Sequence, residues 1–390
     1  MVTLETAEKA LKAVYLGVVA NQLNVGVNPF YTMIKQTSSD VWGKEIIKLV
    51  PYGVNGGVGA GTETGALPAA APNNYERFKL ELKNLYGTIE LSDKAIRASQ
   101  SSAGAFVNLL DAEMEGLLES SKFNLGRMLY GDGSGTLCKA TDNGTTNNIF
   151  VVDSVKRLVE GMVLDGYDSD GEAIEALKGV RVTEIDRSAK TVSVTGAGSA
   201  IAESDYITFT VQGSKNNEIT GLEAVFGTGD LYGVSRAGKK YLQAITKTQV
   251  GAIDTEKMQQ AIDMIDEYTG SATDIILCAY DSRRAYLDAC ATTRTNVDYM
   301  NLDGGFRALS FNGIPVVADR FIDDGQMYFL NSRDFKLHQL CDWRWLEGDG
   351  GKIIRQNAGS ATYTATLVKY ADLICDRPMA QLKYTGITSA

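Results

Sequence analysis

The sequence predicts an α+β chain, and three features predict it. One long amphipathic helix occupies residues 104–130. A run of alternating apolar and polar residues at 75–91 follows a glycine-rich stretch. Beyond residue 220, helix and strand patterns alternate before the chain closes on long strands.

Composition bounds what such a chain can be. Its 390 residues are enough for two or three domains, and 44% hydrophobic against 22% charged content supports a packed core. No apolar run is long enough to span a bilayer. The N-terminus carries Glu5 and Glu8 early and has no cleavage-type site after its apolar part, so it is not read as a signal peptide. Five cysteines (Cys138, Cys278, Cys290, Cys341, Cys375) are scattered, odd in number and without CxxC spacing. That favours reduced thiols in a cytoplasmic setting over a disulfide framework or a zinc site. Acidic residues outnumber basic ones 48 to 38, for a net charge of −10, and no segment is dense in Lys or Arg. Tight non-specific binding to nucleic acid needs a basic face, so this balance argues against it. Forty glycines against six prolines leave many positions free for tight turns and loops.

In chain order, Leu4, Ala7, Leu11, Val14, Tyr15, Val18 and Val19 form a helical stripe that Asn28-Pro29 interrupts. A short helical run at 30–34 follows, and Ile46 to Val50 reads as a strand. Residues 51–74 are rich in Gly, Ala and Pro, with Glu63 the one charge. They bury too little to fold alone. From Phe78, apolar Phe78, Leu80 and Leu82 alternate with Lys79, Glu81 and Lys83, as in a strand with one dry face. The run at 46–50 pairs with it in this reading, the glycine-rich stretch being the tip of a long hairpin. A lone two-stranded hairpin is marginal in water, so its dry face needs a partner from this chain or another copy.

The long helix carries Phe106, Leu109, Leu110, Met114, Leu117, Leu118, Leu125, Met128 and Leu129 on one stripe, with a wider gap around Ser121. Asp111, Glu113, Glu115 and Glu119 fall mostly off it. Ser101 or Ser102 caps its start, and Gly131 is placed where a left-handed residue ends a helix. Such a helix is about 40 Å long, and something must lie along most of it.

After it, short strands at 149–152, 162–164, 180–185, 191–195 and 206–211 alternate with turn signals, which suggests a small β-barrel or compact sheet. Thr255–Thr269 is a clean helix capped by Asp254 and closed by Gly270. Residues 274–279 read as a buried strand, and Asp281 is placed as the cap of a helix at 282–290. Strands follow at 305–319 and 327–330, then long ones at 336–345 and 363–374 and a shorter one at 379–384.

Chemistry-bearing motifs are weak. The loop 131–136 (GDGSGT) has no P-loop lysine and follows a helix, where a P-loop precedes one. Asp165, Asp168, Asp170 and Glu172 lack the bidentate glutamate of an EF-hand and read as a solvated turn. The one histidine, His338, sits inside a strand and reads as a packed or surface side chain. No GxSxG, HExxH or cysteine–histidine signature is present. Trp343 and Trp345 lie two apart on one strand and so face one side, as a core or interface face or as a sugar-stacking platform. Neither an active site nor a cofactor or metal site is expected.

The order of parts resembles the major capsid protein of tailed bacteriophages, the Hong Kong 97-like fold. The matching stretches are 75–99, 104–135, the resumption at Ile219-Thr220-Gly221-Leu222, and 311–337. The resemblance implies an N-arm (1–50), an extended E-loop hairpin (51–100), a spine helix (101–137), an A-domain (220–334) and a P-domain sheet with the C-terminus (335–390). It also implies that 138–219 is an inserted β-rich domain, because GDGSGT and Gly221-Leu222 lie about 85 residues apart where such proteins commonly join them directly. The spine-helix core is then Phe106, Leu110, Met114, Leu117, Leu118 and Leu125. The candidate inter-subunit contacts on the E-loop are Tyr75, Arg77, Phe78, Lys79, Glu81 and Lys83. Lys79 and Lys83 lie where a crosslinking lysine could sit, but no catalytic acid or acceptor asparagine can be matched. The chain begins at the arm, so a separate scaffolding protein or a removed pro-segment is expected.

The function implied is a shell protein that assembles as pentamers and hexamers into an icosahedral phage head around double-stranded DNA. Assembly would take place in the host bacterial cytoplasm. Portal and scaffolding proteins, and a cement or decoration protein, are the implied partners, with weak non-specific contact to packaged DNA and none to membrane. An encapsulin-like nanocompartment shell is the alternative within the fold. A carbohydrate-binding virion protein using Trp343, Trp345 and turn carboxylates is the alternative of another class.

Overall fold

A computed structural model describes residues 28–39, 41, 45–94, 103–141, 148–196, 206–292, 298–301, 307–348 and 353–388. The stripe expected at residues 4–19 and the caps Ser101 and Ser102 lie outside them, as do the side chains of Phe106, Leu109 and Leu110.

The described chain opens on α1 (Pro29–Met33). Pro29 occupies its first turn, and Asn28 caps it by accepting from the Tyr31 N–H at 2.7 Å. The Asn28 amide also donates to the Gly126 carbonyl at 3.1 Å, tying this segment to the long helix. Next come β1 (Lys35–Thr37), β2 (Glu45–Tyr52), β3 (Asn74–Glu81), β4 (Lys83–Ser92) and the long helix α2 (Ala103–Met128). Six strands follow: β5 (Thr136–Ala140), β6 (Ile149–Val151), β7 (Val163–Tyr167), β8 (Ala173–Asp186), β9 (Thr191–Val194) and β10 (Ile207–Val211). The mixed region comprises α3 (Leu222–Phe226), β11 (Ile245–Lys247), β12 (Gly251–Ala252), α4 (Thr255–Thr269), β13 (Ile275–Cys278), α5 (Tyr280–Thr292), β14 (Asp298–Asn301), β15 (Arg307–Phe311), β16 (Ile314–Ala318) and β17 (Met327–Leu330). The chain closes with β18 (Phe335–Trp345), β19 (Arg355–Gln356), β20 (Thr362–Cys375), β21 (Leu382–Tyr384) and β22 (Ile387–Thr388).

The alternating run at 75–91 is one pattern in the sequence and two strands in the fold. It divides at Leu82. β3 pairs with β2 along the hairpin, from Glu45↔Glu81 to Tyr52↔Asn74. β4 pairs instead with β20, from Lys83↔Ala371 to Ser92↔Thr362. With β1, β18 and β19, these two strands form the sheet on which the long helix lies. Along β20, Ala365, Leu367, Ala371, Leu373 and Cys375 alternate onto the face that shares a core with Met114, Leu118 and Leu125 of α2. Trp343 and Trp345 are in that same core, 5% and 2% exposed. They are core residues, so the pair forms no exposed platform and the reading of the two rings as a surface sugar-stacking face fails.

The gap in the helical stripe at Ser121 is explained at the same interface. A Cβ on Gly87 of β4 would stand 2.9 Å from Leu117 Cδ1 and 3.2 Å from Ser121 Oγ. Helix and strand approach closely here, which requires a small residue on each side. Gly131 does not have the left-handed backbone expected of it. The left-handed glycines of this loop are Gly133 (φ 88°) and Gly135 (φ 82°), and the helix ends through turns that close on Arg127 and Met128.

The strands of residues 136–211 run in the order β5-β10-β7-β8-β9-β6, and an antiparallel bridge between Ala140 and Val152 closes β6 back on β5. This is a six-stranded barrel with its own core, which includes Phe150, Leu164, Leu177, Val192, Ile207 and Phe209. Its first strand, Thr136–Ala140, is the one that the turn spacing missed.

Chain exit and re-entry lie side by side. The Asn216 N–H donates to the Ser134 carbonyl at 2.8 Å, and the Leu222 N–H to the Leu129 carbonyl at 2.8 Å. A Cβ on Gly221 would come within 2.5–2.6 Å of the Met128, Leu129 and Gly131 carbonyl oxygens, so only glycine fits. The barrel is thus inserted at the end of the long helix, and the chain resumes where it left. Buried Arg127 of α2 clamps Glu218 in the returning segment through two bonds of 2.8 and 2.5 Å. Lys156 and Arg157 pair with Asp324 (2.6 Å) and Asp323 (3.5 Å), seating the barrel on the rest of the chain.

The third body is a seven-stranded sheet, β11-β21-β17-β13-β16-β15-β14. One face joins the core under α2, and the other packs on α4 and α5. α4 has the expected bounds, the Asp254 cap and the left-handed Gly270 (φ 62°). α5 begins at Tyr280, so Asp281 lies inside its first turn, where its carboxylate accepts from the Ser282 and Gly325 N–H groups at 2.7 Å each. The segment expected as a strand at 379–384 is a short 3-10 turn followed by β21, which joins the seven-stranded sheet and not the sheet of β18 and β20.

Candidate assembly surface

The hairpin carries the most exposed apolar surface described in this chain, and its geometry begins at its root. On its inner face, Ile46, Val50, Phe78 and Leu80 are buried against Leu231, Tyr232, Val234, Leu242 and Ile374. Phe78 meets the Tyr232 ring at 5.1 Å, and the Lys79 N–H donates to the Tyr232 carbonyl at 2.9 Å. Tyr52 stacks on Tyr241 with ring centroids 4.1 Å apart. Glu76 accepts from Lys239 at 2.8 Å and from the Tyr241 hydroxyl at 2.9 Å. The bond from Lys239 holds its carboxyl below the usual glutamate range. Lys48 reaches Asp376 at 2.6 Å.

Among the described residues, the outer face has no such cover. Ile47 is 51% exposed, Leu49 62% and Tyr75 54%, and beyond them the tip exposes Val54, Val58 and Leu67. Paired asparagines, Asn55 and Asn73, bridge the neck of the tip at 2.9 Å. An exposed apolar strip of this kind, rimmed by polar residues, marks an interaction site.

The residues singled out from the sequence divide here. Tyr75, Arg77, Lys79 and Glu81 are exposed on the hairpin. Lys79 pairs with Glu45 across the strands at 2.9 Å. Lys83 is half-buried, and its ammonium donates to the Asn216 carbonyl at 3.2 Å, so it braces the barrel's return. Phe78 is a correction. At 1% exposed it is filled by its own chain and offers nothing to a neighbour. Of the helix residues, Met114, Leu118 and Leu125 are buried and Leu117 half-buried against Gly87. Sequence reasoning missed Ile47 and Leu49. Their signal was present in EIIKLV, a strand apolar on both faces where a half-buried strand alternates.

Among the described residues, the acidic and histidine side chains singled out from the sequence have structural surroundings. Asp165 accepts from the Gly179 and Gly213 N–H groups at 2.9 Å each, and Asp168 from those of Asp170 (3.0 Å) and Glu172 (2.8 Å), so the acidic cluster is turn structure. Among the described residues, no group of three His, Cys, Asp or Glu could hold a metal ion, and no helix is long and apolar enough to cross a membrane. His338 is 1% exposed within β18, as a packed side chain.

No family model and no curated protein matches this chain. Among solved structures it is similar to a chain of the cyanophage A-1(L) capsid asymmetric unit, at 14% identity and a TM-score of 0.54 over 93% of both chains. It is also similar to the capsid of Myoviridae phage XM1, at 9% identity and a TM-score of 0.49 over 93% of this chain and 92% of that one. The native GTA particle capsid gives 11% identity and a TM-score of 0.48 over 92% and 89%. The mixed α+β fold is thus similar to that of the cyanophage capsid chain over 93% of both chains.

Proposed function

We propose that this chain is a major capsid protein that self-assembles as pentamers and hexamers into an icosahedral phage head enclosing double-stranded DNA. The observation that carries the reading is the end-to-end likeness to the cyanophage capsid chain, at a TM-score of 0.54. The hairpin supplies a physical reason for assembly. Its outer apolar face is exposed in the single chain, and burying it against a neighbour favours association by about 25 cal/mol per Å² of apolar surface.

In this reading the fold is Hong Kong 97-like. Residues 1–50 are the N-arm, 51–100 the E-loop, 101–137 the spine, 138–219 the inserted domain, 220–334 the A-domain and 335–390 the P-domain with the C-terminus. The exposed hairpin residues Tyr75, Arg77, Lys79 and Glu81 contact a neighbouring subunit. Repeated head-to-tail contacts of this kind close rings. The role is structural, in the virion, after assembly in the host cytoplasm with scaffolding and portal proteins. The charge of −10 suits a container that holds DNA weakly.

Electron microscopy of the purified protein under assembly conditions tests this. Closed shells built of pentamers and hexamers are expected. A species that stays monomeric under every condition refutes the proposal, and shells loaded with a protein cargo and no DNA point to a nanocompartment instead.

A further inference from the structure

A cavity of about 170 Å³ lies where three parts of the molecule meet: the start of β4, the last third of α2, and the segment leaving β10. Its floor is apolar, with Leu85, Leu125 and Trp343. Its walls carry Asn84, Ser121, Asn124 and Gln212. Asn84 and Gln212 are exposed at the rim.

Charge does not select its occupant. The one ionised wall residue, Glu218, spends both carboxylate oxygens on Arg127 at 2.5 and 2.8 Å, so the cavity presents neither a free anion nor a free cation. What it presents are groups that both donate and accept. The Ser121 side chain is 95% buried and lines the cavity, and among the described residues its hydroxyl makes no hydrogen bond. Asn124 accepts from Arg127 Nε at 3.1 Å through its oxygen, which leaves its NH₂ group to donate. Unmet donors and acceptors of this kind are costly in the empty state and favour a ligand that satisfies them.

We propose that this cavity binds one small uncharged polyol, on the scale of a single sugar ring. Hydroxyls both donate and accept, matching the serine and amide walls. The C–H face of such a ring matches the leucine and tryptophan floor. A water takes about 30 Å³, so the volume equals about five or six waters, and a drug-sized ligand does not fit. The ligand would bridge helix, hairpin root and barrel return. The proposal is independent of assembly, because every group belongs to one chain.

The test is calorimetric and saturation-transfer NMR titration of the unassembled full chain with myo-inositol and with D-glucose, and with acetamide as a small amide. Saturable binding of a polyol is expected, weakened at least tenfold in Ser121→Ala and in Asn124→Ala. Circular dichroism and melting temperature should show that both variants stay folded. Binding of acetamide in preference to both polyols, polyol binding unchanged in both variants, or no saturable binding of either polyol overturns the proposal.

Discussion

The barrel of residues 136–211 and the hairpin of residues 45–81 are both antiparallel, glycine-punctuated β structure, yet their apolar residues find partners in different places. In the barrel, closure of β6 on β5 encloses Phe150, Leu164, Leu177 and Phe209, so the unit carries its own core. In the hairpin, two strands cannot enclose anything. Its inner residues Ile46, Val50, Phe78 and Leu80 are buried because Tyr232, Leu242 and Ile374 come to meet them, and among the described residues none covers its outer residues Ile47 and Leu49. The lesson is that strand count decides whether β structure is self-sufficient. A six-strand closed unit can be inserted at one point of a fold, whereas a two-strand unit is completed by its surroundings.

The contrast can be broken first at the barrel core. Phe150→Ala removes a fully buried ring that meets Phe209 at 5.1 Å, and should cost about 3–5 kcal/mol. Hydrogen exchange should show the loss confined to residues 136–211, with the long helix still protected. Exchange spread evenly over the chain would show that the barrel is not a separate unit.

The joint between the two regions gives a pH signature. Asp372 of β20 is fully buried, and burial pushes its carboxyl up to about 7, even though it accepts from the Thr220 and Leu373 N–H groups at 2.7 and 2.8 Å. Lys83, Tyr232 and, across the β18–β20 pair, His338 are the titratable neighbours. A carboxyl whose folded value is raised holds its proton more tightly when folded. It favours the folded state fully below the ordinary aspartate value, and that contribution is lost as pH rises through about 7. Denaturant unfolding between pH 4 and 8 should therefore show a falling contribution that Asp372→Asn removes.

The close contact at the hairpin's continuation should matter less. Gly87→Ala forces a methyl to 2.9 Å from Leu117 and should cost about 1–3 kcal/mol by overpacking, read as a shift in the denaturant midpoint. A neutral result would mean that the helix moves away freely.

The smallest effect on stability is expected on the outer hairpin face. Leu49→Asp, at a site 62% exposed, should change unfolding by no more than about 0.5 kcal/mol. Light scattering and microscopy should nevertheless show assembly reduced or abolished. Normal shells from this variant would place the subunit interface elsewhere.

Much of the fold is legible in the sequence wherever local periodicity and caps decide the matter. Thr255–Thr269 has its Asp254 cap and Gly270 stop, the long helix has its stripe, and the hairpin has its alternation and glycine-rich tip. The misreadings share a cause. At Leu82 the alternation slips by one residue, from Phe78, Leu80 and Leu82 to Leu85, Ile89 and Leu91, but such a slip does not by itself tell that the hydrogen-bond partner switches from β2 to β20. Phe78 fits a contact residue by position and is buried by Tyr232, about 150 residues away in sequence.

By itself, the sequence determined the elements that local caps and stripes fix, such as Thr255–Thr269 and the long helix, because those signals act over a few residues. Only the tertiary structure decided which faces stay open. That Trp343 and Trp345 are core, that β21 crosses to the seven-stranded sheet, and that Ile47 and Leu49 stay exposed all depend on how distant segments pack. Burial is a property of the whole surface, and a residue's own neighbours in sequence do not contain it.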